Sequence, residues 1–283
     1  MSLRYSEFPI SIGAAGASTP PSETNQYVPT TKVDVTYNTT HSPKRKLGST
    51  IASDDQFGFG GALTADISVD CLIQTGLSSG FDFLVDANQD NFVVVKIGEN
   101  QFNKCYATDV SVNVEPFVPV SLSAKFVSLD PPTGEQISGD TNPYGGGEIP
   151  LTGDDIVYGH SVVISDGANI LNDVQSNISF NRKYSRTPIY QLGSINADTM
   201  LLDGVEEELS VSSTGVESLI GLSGDKLGGT LQLYMVGVGV GISYPVIPDL
   251  INFPAGARVL TESYGVAGGD TVSTQATIKQ IKL

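Results

Sequence analysis

Two stretches of this chain use one vocabulary in one order, and that repetition constrains the fold more than any single motif does. Residues 35–50 read VTYNTTHSPKRKLGST and residues 178–195 read ISFNRKYSRTPIYQLGSI. With one two-residue gap, Tyr37, Asn38, Ser42, Pro43, Leu47, Gly48 and Ser49 fall on Phe180, Asn181, Ser185, Pro188, Leu192, Gly193 and Ser194. Two later blocks keep the order: ISVDCLIQTG (67–76) answers LSVSSTG (209–215), and VSLSAKFVSL (120–129) answers VSTQATIKQI (272–281). Ordered self-similarity at a long period is the mark of a duplicated unit. Two copies of one structural unit are expected.

The vocabulary inside each copy is that of strands. Runs with a period of two cover 33–37, 65–74, 91–97, 107–114 and 120–129, then 161–165, 174–182, 207–212, 230–243 and 271–282. Helical signals are few: VESLIG at 216–221 and IPDLIN at 247–252. The fold class is therefore all-β with minor helix, a sandwich or barrel per copy. Residues 130–155, DPPTGEQISGDTNPYGGGEIPLTGDD, have no apolar period and read as a linker or arm, with Tyr144 and Ile149 as points that could anchor it on a neighbour; residues 1–30 read as a second arm. In MVGVGVGIS, Gly237, Gly239 and Gly241 leave one strand face bare for close packing, by the same domain or by another subunit.

Charge narrows the partners. The net charge is −16 over 283 residues, with 15 basic and 31 acidic side chains, which excludes tight gripping of nucleic acid but not passage beside it. The opening MSLRYSEFPISIG lacks a signal-peptide core and no run reaches the length of a membrane span, so residence in a cytoplasm, without membrane insertion, is expected.

Motifs for chemistry are weak. Cys71 and Cys105 show no metal or redox spacing, and Cys71 shares a strand face with Ile67, Val69 and Ile73, so a buried thiol is expected. His41 and His160 are the only histidines, no nucleophile elbow accompanies them, and no catalytic residue, metal ligand or cofactor is assigned. DANQDN (86–91) lacks the glycine and the bidentate acid of a calcium loop and reads as a hairpin turn. GVGVG lies within a strand and is no dinucleotide fingerprint. EEEL (206–209), with Asp66 and Asp70 in the first copy, gives each copy a carboxylate-bearing strand; without any Trp, an acidic solvated face is the simpler account than a sugar cleft. Lys44, Arg45 and Lys46 form the densest basic cluster, and their counterparts Ile189, Tyr190 and Gln191 are not basic. Such a loop either is simply solvated or meets different neighbours in the two copies.

The stretch DVQSNISFNRKYSRTPIYQLGS, a strand and an arginine-bearing loop followed by Pro-x-x-x-Leu-Gly, resembles the tail tube proteins of tailed bacteriophages, as does the layout of the chain. The resemblance implies two tandem tube-fold domains, 31–130 and 156–283, joined by a linker at 131–155, in the minority type in which three duplicated chains make a pseudo-hexameric ring. Four barrel strands per copy would give about 24 per ring and a wall about 45–50 Å across, wide enough for duplex DNA. It further implies a non-enzymatic virion protein, assembled in the host cytoplasm as stacked homotrimers. Sheath, tape-measure, baseplate and neck proteins are its implied partners, and DNA passes without specific binding. Ser68, Asp70 and Gln74 are candidate lumen residues of an acidic bore. The loops at 43–60 and 188–206 and the linker, with Lys44, Arg45, Lys46, Ile189, Tyr190, Tyr144 and Ile149, are candidate ring-stacking or inter-subunit contacts. The alternatives are a tube-fold baseplate hub or tail-end adaptor, and a β-sandwich module that binds the host.

Overall fold

The computed structural model describes residues 10–13, 30–38, 41–43, 57–59, 64–73, 92–98, 100–130, 156–159, 162–165, 175–192, 196–214, 231–236, 243–245, 252–253, 257–267 and 271–282. Every regular element among them is a β-strand. The first segment holds β1 (Ile10–Gly13), β2 (Thr30–Asn38), β3 (His41–Pro43), β4 (Phe57–Phe59), β5 (Thr64–Leu72), β6 (Val93–Ile97), β7 (Asn100–Val114) and β8 (Ser121–Ser128). The second holds β9 (Val162–Ser165), β10 (Gln175–Tyr190), β11 (Ala197–Thr214), β12 (Leu231–Val236), β13 (Ser243–Pro245), β14 (Asn252–Phe253), β15 (Arg258–Ala267) and β16 (Thr271–Lys282). The expected helix at 216–221 lies outside the described residues, as do 247–251 of the one expected at 247–252, whose last residue, Asn252, belongs to strand β14; the linker at 131–155 and the glycines of GVGVG also lie outside them.

The main strands of both segments lie in one antiparallel sheet, in the order β2-β5-β8-β7-β10-β11-β16-β15, with β6 beside the first part of β7 and β1 beside β6. Strict alternation explains why these segments are strands. β5 and β8 bury every second side chain, and inward residues such as Ile67, Val69, Leu122, Phe126, Val112, Phe180, Leu209 and Ile278 build one core. Removing each such side chain from water contributes roughly 1.5–3 kcal/mol. β1 and β6 add Ile10, Ile12, Val93 and Val95 to this core, and Phe253 of β14 meets Phe180 edge to face at 6.2 Å. Segment 156–159 is tied to the same sheet: Val157 donates its N–H to Ile73 O and accepts from Val120 N–H, and Gly159 lies so close to Glu115 that a Cβ there would collide with its carbonyl.

The order repeats. In chain order the four wide-sheet strands of the first segment are β2, β5, β7 and β8, and in space they run first, second, fourth, third. The second segment, with β10, β11, β15 and β16, does the same. The rungs repeat too. All eight β5–β8 rungs, from Ala65↔Ser128 to Leu72↔Ser121, recur as Glu207↔Gln280 to Thr214↔Ser273, in the offsets at which the sequence blocks begin. All eight β2–β5 rungs recur between β10 and β11, and β2 carries an extra residue between Thr30 and Lys32 where β10 carries one between Gln175 and Asn177. β7 carries an extra residue between Ala107 and Asp109, and β15 carries one between Val259 and Thr261 at the corresponding step. Bulges are local and specific to a lineage of backbones, so two coincident ones are a demanding match.

One detail of the sequence alignment changes. The rungs make Val35, not Tyr37, the equivalent of Phe180 in the other segment, a slip of two residues. The segment 188–206, expected as a loop, is strand over 188–190 and 197–206. Pro188 is tolerated in β10 because β7 pairs that strand only from Ile178 to Lys183, so the missing N–H falls on an unladdered edge.

Candidate functional site

The sheet has a dry face and a polar face. On the polar face, a row of paired positions runs Asp34, Ser68, Lys125, Asp109, Lys183, Glu206 across six strands. The next row sets Lys32 opposite Asp70 at one end and Glu208 opposite Lys279, then Arg258, at the other. The open part of this face, among the described residues, thus carries five basic side chains (Lys32, Lys125, Lys183, Arg258, Lys279) and six acidic ones (Asp34, Asp66, Asp70, Asp109, Glu206, Glu208). Ion pairs join Lys279 to Glu206 at 3.0 Å and Lys32 to Asp34 at 2.5 Å, and the Asp34 carboxylate raises the Lys32 ammonium above its ordinary value. An alternating face of this kind holds no continuous cationic track for a polyanion. The charges of these residues nearly cancel, although the chain as a whole carries a net charge of −16.

Ser68 and Asp70 lie on this polar face, with Cys71 buried behind them, as the strand period requires. Gln74 lies outside the described residues, as do Lys44, Arg45, Lys46, Tyr144, Ile149 and His160. Ile189 and Tyr190 are exposed near the end of the β10–β11 hairpin, together with Leu192 and Leu201. That hairpin runs on past the end of its pairing with β7 and covers a patch of the polar face. There Tyr106, Leu129 and Ala197 make a small second core, Tyr106 and Thr199 share a hydrogen bond of 3.1 Å, and the Arg186 guanidinium lies over the rings of both Tyr106 and Tyr184. At the opposite end of the sheet, the β7–β8 turn presents Phe117, at φ 63° and 82% exposed.

EEEL divides between the faces. Glu206 and Glu208 are exposed, whereas Glu207 is fully buried and accepts from Arg182 Nε–H at 2.7 Å, with Gln280 Nε2 donating to its other oxygen. The Arg182 guanidinium also lies 5.7 Å from the Phe180 ring centre, and beside it burial raises the Tyr184 phenol. Neither thiol is arranged as a nucleophile. Burial pushes Cys71 far up and Cys105 up to about 12, and they donate to Leu122 O and Phe102 O respectively.

The sheet also has two ends. Among the described residues β2 pairs only with β5, and β15 only with β16. Each of these edge strands carries a bulge and two charged residues, Lys32 and Asp34 in β2 and Arg258 and Glu262 in β15, and neither contains a Pro. The inward residues of β2 are incompletely covered: Val33 and Val35 are half-buried and Tyr37 is 50% exposed. Their counterparts on β10, which β7 flanks, are Ile178, Phe180 and Arg182, all buried.

No protein-family model matches the chain, and no curated protein is similar to it.

Proposed function

We propose that this protein is a structural subunit of a ring-stacked tube, the tail tube of a bacteriophage, in which the polar face of the sheet lines a conduit for DNA. One observation carries the reading. Two four-strand units are already joined head to tail through β7 and β10, and among the described residues the sheet ends in two edges, β2 and β15, that the same joint would need on either side. A repeated heterologous joint builds a ring when its rotation closes. Four strands per unit is an even number, so every joint can be antiparallel. Three chains would supply about 24 strands and a wall about 45–50 Å across.

The polar face suits a lumen: its lysines stand across from carboxylates, and little on it would hold a passing duplex. The opposite face is closed by β1, β6 and β14 and belongs outside. The duplication of one unit within the chain belongs to the same proposal and is supported by the paired bulges.

Electron microscopy of the purified protein at high concentration, with native mass spectrometry, tests this directly. Annular trimers that stack into tubes are expected. Monomers at every concentration would reject it, and single rings that never stack would move the assignment to a hub or adaptor.

A further inference from the structure

We infer which strands form the joint between chains, and in which register: β15 of one copy pairs antiparallel with β2 of the next, with Val266 opposite Val33, Gly265 opposite Asp34, Tyr264 opposite Val35, Ser263 opposite Thr36, Glu262 opposite Tyr37 and Thr261 opposite Asn38. The inference rests on the ring proposed above and specifies its contact.

The register comes from the joint inside the chain. There β10 and β7 share six rungs, from Ile178↔Val114 to Lys183↔Asp109. The repeated ladders equate β10 with β2, since Ile178↔Val211 corresponds to Val33↔Val69 and the bulges at Gln175/Asn177 and Thr30/Lys32 coincide. They equate β7 with β15 through the hairpin rungs Val110↔Ala124 and Glu262↔Ala276, again with coincident bulges. Replacing both partners of each internal rung by their equivalents leaves one register. Strand direction agrees, because β15 and β2 are the two ends of an eight-strand antiparallel order and point opposite ways.

The surface agrees as well. Val33, Val35 and Tyr37 face the core side yet stay partly exposed, whereas Ile178, Phe180 and Arg182 at the closed joint do not. A second copy of this chain, laid along β2, covers them as β7 covers β10. Pairing of an extended strand with a free edge is a general mode of recognition, with the main chain supplying affinity and side chains supplying register.

Paired cysteines test the register. The Thr36→Cys/Ser263→Cys double variant is expected to form disulfides between chains on mild oxidation, giving a ladder that ends at the closed ring on a non-reducing gel. Paired positions in an antiparallel ladder are about 4.5–5.5 Å apart at Cα, within disulfide range, whereas diagonal ones are not. Internal bridging is out of reach because the two edges lie about 34 Å apart across the sheet. Thr36→Cys/Thr261→Cys and Thr36→Cys/Gly265→Cys, each offset by two, are expected to link at least about tenfold more slowly. Asn38→Cys/Thr261→Cys is a second matched pair should the first variant fold poorly. Rings in the micrographs with faster linking by an offset pair, or with no linking by either matched pair, overturn the register and leave the ring reading standing. An absence of rings removes both.

Discussion

The β2 and β10 strands occupy the same place in two units of the same topology, and they are finished differently. β10 is closed on both sides along its first half and buries Phe180 and Arg182 completely; β2 has one partner among the described residues and leaves Tyr37 half in solvent. The row through Arg182 runs Arg182, Glu207, Gln280, whereas the corresponding row of the first unit runs Tyr37, Ala65, Ser128. One backbone plan therefore tolerates an ionic row and a mainly neutral one. Burying charge costs several kcal/mol per ion before pairing, so the ionic version holds only where donors and acceptors converge on one carboxylate. The joint of β7 with β10 provides that enclosure, and the β2 edge does not.

Three experiments probe this contrast. The largest effect is expected from Glu207→Ala, which strands the Arg182 charge in the core: about 3–5 kcal/mol lost in denaturant unfolding. A loss of under about 1 kcal/mol would mean that water reaches this row. Next, Phe180→Ala should cost about 3–5 kcal/mol, whereas Val35→Ala at the equivalent place should cost only about 1 kcal/mol in the unassembled chain. The Val35→Ala variant should also weaken assembly, read as a higher concentration threshold for rings; equal costs for the two variants in monomer would erase the distinction between closed and open edge.

The smallest effect at neutral pH concerns the thiols. Cys105 ionises only near about 12 when folded, against about 9 when unfolded, so the unfolded state loses its proton first as pH rises. The stability that this thiol contributes is full below pH about 9 and is lost towards pH about 12, at about 1.4 kcal/mol per pH unit. Cys105→Ala should flatten that part of the alkaline unfolding curve, and an unchanged slope would count against burial as the cause.

How much of this was legible in the residues differs from strand to strand. The blocks at 67–76 and 120–129 carried enough alternation to set register: their starting offsets reproduce every β5–β8 rung in the second unit. The block at 35–50 slipped by two, since a strand shifted by two residues presents the same face and the alternation cannot detect it. The buried pair was missed because charged residues read as solvated, although Arg182 shares parity with Phe180 and Tyr184, and Glu207 with Val205 and Leu209. The strand was expected to end at 182 and Pro188 to open a loop, because the tolerance of a proline in β10 depends on where β7 stops. The pairing of the two units into one sheet rests on contacts between distant residues, which no local pattern encodes. Of the candidate lumen residues, the strand period located Ser68 and Asp70 on the polar side, but the balance of charge there depends on which strands become neighbours.

The joint between β7 and β10 is made within one molecule, and in the proposed ring that would alter how assembly proceeds as well as what is assembled. Partners on one tether meet at an effective concentration of the order of millimolar, far above that of free chains, so this contact forms without a diffusional encounter. In a closed circle of three such molecules, half of the unit-to-unit contacts would arise by folding and only the other half by collision. Dilution would then open alternate seams first, and the circle would come apart into two-unit arcs rather than single units.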